Sequence, residues 1–376
     1  MHNFRTVPDI RIERGGAAKM DAHIDGLCPH KRVFIVTDAG VHGLGLLGGA
    51  KAALCEAGYV VEIFDHVIAD PPEEVVLAGA KRARDFGAGL VLGFGGGSPM
   101  DTAKVIALLA GSSQPITEMY GVGLAAGPRL PLMLVPTTAG TGSEVTNVAI
   151  LTTGKTEKQG IVANALYADR VLLDAELTLG LPKMISAATG IDAMVHAIEA
   201  YTSLPQKNPL SDALALSALT KLKDGIEDVC KDGQDIDGRE NMLIGAMLAG
   251  QAFSNAPCAA VHALAYPLGG FFHVPHGLSN ALVLTGVMRY NLPNADKLYG
   301  EISEHMRLGG TGANLIDEMQ RIKDATDVPQ TLSRVDIPES AIAMMADDAM
   351  TKTRLLVNNP REMTLAATVK IYEDIA

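Results

Sequence analysis

The segment TGIDAMVHAIEAY, residues 189–201, sets a carboxylate and an imidazole four residues apart in an otherwise apolar run. On a helix, positions i and i+4 lie one turn apart on the same face, so Asp192 and His196 can aim at one point. Burying either group without a partner is costly. One answer is mutual pairing, with His196 donating to Asp192. The other is a metal centre, which needs further ligands. The segment VHALAYPLGGFFHVPHGLSN supplies candidates: His262, His273 and His276 are three of the chain's ten histidines. Each has a plain reading too, as a core histidine, a surface residue and a cap before Gly277. Spacing alone does not choose between His273 and His276. Asp192, His196, His262 and one of His273 or His276 offer a three-histidine, one-carboxylate donor set. Such a set suits Fe(II), Zn(II), Co(II) or Ni(II).

A second group of residues reads as an anion site. GFGGGSPMDTAK, residues 93–104, follows an apolar run and opens a helical one. Gly95, Gly96 and Gly97 let the backbone approach a ligand, and a helix N-terminus behind such a loop holds phosphate. Ser98 is expected to cap the helix, with Pro99 in its first turn and Asp101 completing a capping box. The alternative is a tight strand-to-helix turn without a ligand. No Gly-Lys-Ser/Thr follows, so this is not a P-loop. VPTTAGTGSEVTN, residues 135–147, packs the hydroxyls of Thr137, Thr138, Thr141 and Ser143 after another strand-like run. It reads as phosphate or ribose contacts, or as a loop that bonds its own backbone. Asp38, at the end of RVFIVTD, could bond a ribose 2′-hydroxyl or simply cap a turn. Here the acid precedes the glycines, the reverse of the usual dinucleotide fingerprint.

These residues need elements to position them. Up to about residue 180, β-branched runs alternate with helical ones: 32–38, 59–64, 89–98 and 130–138 as strands, with helices near 44–57, 73–86 and 99–110 between them. That alternation predicts crossover connections and a parallel sheet. After Leu181-Pro182 the segments 184–201, 210–229, 239–254 and 258–268 read as helices rich in Ala, Leu and Met. We therefore expect an α/β N-terminal domain, residues 1–181, followed by an all-α C-terminal domain, residues 182–376.

Bulk properties narrow the class. A 376-residue chain with 48% hydrophobic residues supports two well-packed cores. A formal charge of −12 argues against a nucleic-acid partner. No run of about 18 strongly apolar residues calls for a membrane span. The N-terminus carries charges where a secretory signal needs an apolar core. Cys28, Cys55, Cys230 and Cys258 are scattered without metal or redox spacing, so reduced thiols and a cytoplasmic location are expected.

The motifs GGGSPMDTAK, PTTAGTGSE, TGIDAMVHAIEAY, HALAYPLGGFFHVPHG and NNPRE run in order along nearly the whole chain. On them the sequence resembles the iron-containing, group III alcohol dehydrogenases. The resemblance implies a dehydroquinate synthase-like architecture: a dinucleotide-binding α/β domain and a helical metal-binding domain. It carries the metal ligands onto Asp192, His196, His262 and His276 and leaves His273 outside. It carries cofactor contacts onto Asp38, Gly96, Gly97, Ser98, Thr137, Thr138, Ser143, Lys158 and Leu179, and a substrate-pocket position onto Phe253. The implied activity is hydride transfer between an alcohol or aldehyde and NAD, with NADP as the other candidate. Fe(II) is the implied metal, with Zn(II) or another divalent ion as alternatives, acting as a Lewis acid on the alcohol. A small-molecule alcohol or aldehyde is the expected partner, and a homodimer or larger homo-oligomer the expected assembly.

Two positions depart from the pattern. Tyr266 stands four residues after His262, where many members carry a histidine thought to relay protons. A phenol titrates near pH 10, so Tyr266 would serve as a hydrogen-bond donor or pocket filler, and His273 is then a candidate relay. Asp70-Pro71-Pro72 replaces an Asn-Pro pair and adds a charge on the cofactor side. Phe253, Tyr266 and Phe271 favour a small or medium alcohol or aldehyde. Rival readings are a maleylacetate reductase, a glycerol-type polyol dehydrogenase, a dehydroquinate-synthase-like lyase, or a non-catalytic nucleotide-binding protein.

Overall fold

The computed structural model describes residues 3–154 and 157–376. Strands β1 (Ile10–Ile12), β2 (Arg32–Asp38), β3 (Val60–Val67), β4 (Leu90–Gly95), β6 (Leu132–Pro136) and β9 (Arg170–Leu173) form one six-stranded sheet. Its order is β1-β9-β6-β4-β2-β3, and every pairing is parallel. The central strands are buried throughout, which is why they read as continuous apolar runs. Helices such as Glu73–Phe86 and Gly97–Gly111 make the crossovers. The expected α/β class is the observed one. A second, three-stranded sheet was not foreseen: β5 (Gly121–Val122) and β7 (Val148–Thr153) flank β8 (Glu157–Val162). Polar residues interrupt the alternation in β8, so it carries no clear strand signal.

Beyond residue 180 the described chain is helical. The helices Lys183–Thr202, Pro209–Lys231, Ile236–Asn255, Ala260–Phe272 and His276–His305 build its core. Lys183–Thr202 is buried on nearly all faces from Ser186 onward, which explains its almost uniformly apolar sequence. By backbone contacts the chain divides into two compact units. One comprises Thr6–Thr138 and Gly142–Leu179; the other comprises Ala139–Thr141 and Gly180–Ala376 with the N-terminal residues up to Arg5. Among the described residues, no helix is long and apolar enough to cross a membrane.

Candidate metal centre and cofactor loops

The helical unit brings Asp192, His196, His262 and His276 together. One donor atom from each lies within 4.8 Å of all the others. Asp192 and His196 come from the Lys183–Thr202 helix and His262 from Ala260–Phe272. His276 is the first residue of His276–His305. A three-residue turn joins the last two helices. His273 ends the first in a left-handed conformation, φ 57°, with its N–H donating to Gly269 O. It is exposed and lies outside the cluster. Gly277 allows the close approach that the cluster needs, because a Cβ there would sit 2.4 Å from Ala188 O.

Asp192 and His196 do not hydrogen-bond to each other. Asp192 Oδ1 accepts from Asn280 Nδ2 at 2.6 Å, while the His196 ring stacks on Phe253 (centroids 4.3 Å apart) and on His262 (4.8 Å). Mutual pairing therefore does not account for the motif. His196 Nδ1 is buried and reaches no hydrogen bond of ordinary geometry, with the Gly140 backbone beside the ring. Burial pushes His196 down to about 3, so its imidazole stays neutral. Burial works against a charge on Asp192, but His196, His276, His262 and the Asn280 amide outweigh it and hold the carboxyl below its usual range. A carboxylate and a neutral imidazole are the forms that bind a cation.

His262 shows the support that a metal-binding histidine usually has. Its Nδ1 lies 2.6 Å from Glu199 Oε2, and the same carboxylate accepts from Ala259 N–H at 2.9 Å and Val261 N–H at 2.6 Å. Glu199 is thus an acceptor, so Nδ1 carries the proton and Nε2 presents its lone pair to the cluster. Burial opposes a charge on His262, but the neighbouring Cys258 and Glu199 overcome it and raise its pKa well above the usual imidazole range, so the ring is a strongly basic donor and a cation at Nε2 takes the place of a proton. Three imidazoles and a carboxylate, three of the four buried, suit a borderline divalent ion.

Sequence reasoning did not single out Glu199 or Asn280. Both sit one turn from a ligand, Glu199 at His196+3 and Asn280 at His276+4, so helical spacing could have found them. Glu199→Gln keeps the volume but sets its amide NH2, a donor, against either the His262 Nδ1–H or a backbone N–H. We expect ion affinity to fall about tenfold to a hundredfold, measured by titrating the apo protein with Co(II).

Tyr266 is half-buried, its ring 6.3 Å from that of His276. Burial raises its pKa further, so at neutral pH it is a phenol that can donate but not accept a proton as a base. The NNPRE segment acts as structural support: Asn358 Nδ2 donates to Cys258 O, Asn359 pairs with Asn291, and Arg361 Nη1 donates to Tyr290 O.

In the α/β unit, the two loops and Asp38 converge at one end of the sheet. β2, β4 and β6 are adjacent, and Asp38, the glycine loop and Thr137-Thr138 follow their carboxyl ends. The chain runs outward from β2 to β3 and then returns to β4 on the other side. The crevice between β2 and β4 is therefore the topological switch point where ligands bind in such sheets. Asp38 Oδ1 caps the next helix by accepting from Val41 N–H at 2.9 Å. Gly95 takes φ 151°, and a Cβ on it would lie 2.8 Å from Pro99 Cγ and 3.6 Å from Asp38 Oδ2. A Cβ on Gly96 would lie 3.4 Å from Thr138 Oγ1, so the two loops run side by side.

The capping expectation fails. The helix begins at Gly97, its cap is Gly96 without a side-chain bond, and Ser98 lies inside the first turn. Asp101 instead turns toward the second loop, accepting from Ser143 Oγ at 2.5 Å and from Ile150 N–H at 2.9 Å. Beside it Lys104, fully buried, donates to Ser143 Oγ (2.8 Å), Thr146 Oγ1 (3.1 Å) and Val148 O (2.7 Å). A buried ammonium needs all three donors matched, and these partners lie some 40 residues away. The network ties the glycine-loop helix to the hydroxyl loop. Lys158, on β8, pairs with Asp70 at 2.7 Å, and Leu179 follows the short turn Ala175–Thr178.

Glu144 adds a pH dependence. Burial pushes its carboxyl up to about 7, partly offset by its own backbone N–H and by Lys104. A raised folded-state pKa means the folded protein holds a proton that the unfolded chain releases. Stability is then full below the unfolded pKa and falls as pH rises toward 7, by about 3 kcal/mol. Urea unfolding at about pH 5 and about pH 8 should show that loss, and Glu144→Gln should remove it.

Sequence models of known families match both parts of the chain. The model for iron-containing alcohol dehydrogenase matches residues 8–175, and that for the Fe-containing alcohol dehydrogenase family, C-terminal, matches residues 186–376. The chain is 38% identical over 355 residues to long-chain-alcohol dehydrogenase 1 of Geobacillus thermodenitrificans, covering 91% of this chain and 89% of that one. Its fold matches the crystal structure of a 1,3-propanediol oxidoreductase with a TM-score of 0.95 at 31% identity, covering both chains fully. It also matches sulfoacetaldehyde reductase from Bifidobacterium kashiwanohense, solved in complex with NAD+, with a TM-score of 0.91 at 26% identity, covering 100% of this chain and 99% of that one. A parallel α/β unit and a helical unit carrying a His3Asp cluster thus define an alcohol dehydrogenase type of oxidoreductase. The chain belongs to the iron-containing alcohol dehydrogenase family.

Proposed function

We propose that this protein is an NAD-dependent, divalent-metal-dependent alcohol dehydrogenase or aldehyde reductase. The observation that carries the reading is the convergence of three imidazoles and one carboxylate within 4.8 Å, in a chain of this family. Asp192, His196, His262 and His276 would hold the ion, with Fe(II) as the first candidate. Residues 1–181 would bind the dinucleotide and residues 182–376 the metal. When bound, the ion supplies Lewis acidity to an alcohol or carbonyl oxygen, and the nicotinamide accepts or returns hydride.

The chain's own groups have defined tasks. Glu199 fixes the tautomer and orientation of His262. Phe253 covers one face of His196 and makes that side of the site apolar. Tyr266 offers a phenolic O–H near His276 and keeps its proton through the neutral range. Gly96, Gly97 and Ser98 open a helix whose N-terminus suits a pyrophosphate. Asp38, facing Gly95, suits a ribose 2′-hydroxyl and repels a 2′-phosphate, which favours NAD over NADP. Thr137, Thr138, Ser143, Lys158 and Leu179 complete the proposed cofactor set. The relatives' names cover a long-chain alcohol, a propanediol and sulfoacetaldehyde, so membership of the family leaves the choice of alcohol to assay.

The test is anaerobic purification, a metal assay per chain, and NAD-linked oxidation of an alcohol panel before and after chelation. We expect about one ion per chain, with activity lost on chelation and restored by Fe(II). Turnover that survives complete removal of metal would overturn the reading.

A further inference from the structure

Asn280 is fully buried, one turn beyond His276. Its Nδ2 lies 2.6 Å from Asp192 Oδ1, 3.3 Å from His262 Nε2 and 3.3 Å from His276 Nε2. One amide nitrogen thus touches three of the four proposed ligands, which come from three helices. Its Oδ1 is buried with no partner. Flipping the amide would set that oxygen 2.6 Å from a carboxylate oxygen, so electrostatics fix the orientation. A residue that only filled space would not leave a buried oxygen unsatisfied.

The ligand set itself explains what the amide does. Without a cation, the four donor atoms crowded within 4.8 Å have no shared ion to hold them together. Asp192 Oδ1 and His276 Nε2 are 3.7 Å apart, and Asn280 Nδ2 lies within 3.3 Å of both. The Asn280 N–H groups are the positive ends of a dipole placed among them. We propose that Asn280 is the positioning residue of the metal centre. It holds three of the four donors, Asp192, His262 and His276, converged before an ion arrives. It yields the two imidazole lone pairs to the ion and keeps its bond to Asp192 afterward.

This inference rests on the metal reading of the site. It predicts opposite effects on fold and on ion binding. Asn280→Leu keeps roughly the volume and removes the unsatisfied oxygen, so the apo protein should melt at the same temperature or higher. The same change should weaken Co(II) binding about tenfold to a hundredfold, followed by the visible absorption of the bound ion in anaerobic titrations. Asn280→Ala is the second variant, in case leucine does not fit; it should lose the same affinity. A folded variant of either kind that binds Co(II) within about twofold of wild type would overturn the proposal. If the wild-type protein itself takes up no Co(II), the metal reading fails and this inference fails with it. Wild-type binding with equal binding by Asn280→Leu sinks this inference alone.

Discussion

Asp192→Asn should leave the apo protein folded and strip it of its ion. Asp192 supplies the only negative charge among the four clustered donors, and it is buried at 2% exposure. The asparagine retains the volume and can still accept from Asn280 Nδ2, so packing and apo stability should change little. Four-ligand sites bind a structural ion with about 10–16 kcal/mol in total, so one ligand accounts for roughly 3 kcal/mol. That is on the order of a hundredfold in affinity, and losing the one anion places this variant at the upper end. Metal content after gel filtration, set beside a circular-dichroism melt, reads both quantities at once. Dehydrogenase activity should fall in step with metal content. A variant that keeps one tightly bound ion per chain would show that the carboxylate is not a ligand.

Gly277→Ala should damage stability and the site together. The added Cβ would lie 2.4 Å from Ala188 O, 2.8 Å from Ala188 C and 3.2 Å from Asp192 Cβ. Two of those atoms are backbone of the helix that carries Asp192 and His196, so no side chain can swing aside. The His276–His305 helix must retreat by roughly 1 Å to restore ordinary contact. Overpacking of this kind costs about 1–3 kcal/mol. The same retreat pulls His276 from its partners, and a misplacement of about 1 Å can lower turnover on the order of a hundredfold. Gly270→Ala is the control, since a Cβ there meets nothing within 4 Å and Gly270 is in a neighbouring helix. It should be neutral or stabilising by about 0.4–1 kcal/mol. Melting temperature and kcat/KM of the two variants, measured side by side, separate a general helix effect from the steric one. Equal behaviour of the two would remove the contact argument.

The elements that proved easiest to read are those with one strong period. The helix at 73–86 and the strand at 32–38 follow directly from apolar spacing and the punctuation around it, and the strand expected at 89–98 is found at Leu90–Gly95. The parallel sheet follows from their alternation, because a parallel pair needs a crossover. The β7–β8 hairpin was not legible, since its residues face partly toward solvent and carry little alternation. The Ser98–Asp101 capping box was misread for a different reason. Its local pattern was correct, but Ser143 and Ile150, distant in sequence, compete for the Asp101 carboxylate. Glycine at 96 lets the helix start early, which removes the need for a cap.

What the sequence determined by itself is the chemistry on offer: a carboxylate and an imidazole at helical spacing, three further histidines within fifteen residues downstream, and glycine and hydroxyl loops after strands. Helical periodicity is local, so a face shared by residues 192 and 196 is legible without a fold. The tertiary structure decided which of those groups meet. It gave Asp192 a hydrogen bond from Asn280, 88 residues on, and placed Glu199 behind His262, 63 residues on. It also left His273 outside, on a left-handed turn. The physical reason is that a buried polar group must be satisfied by whatever packing brings near. That partner is set by how helices cross, and no spacing along the chain encodes the crossing.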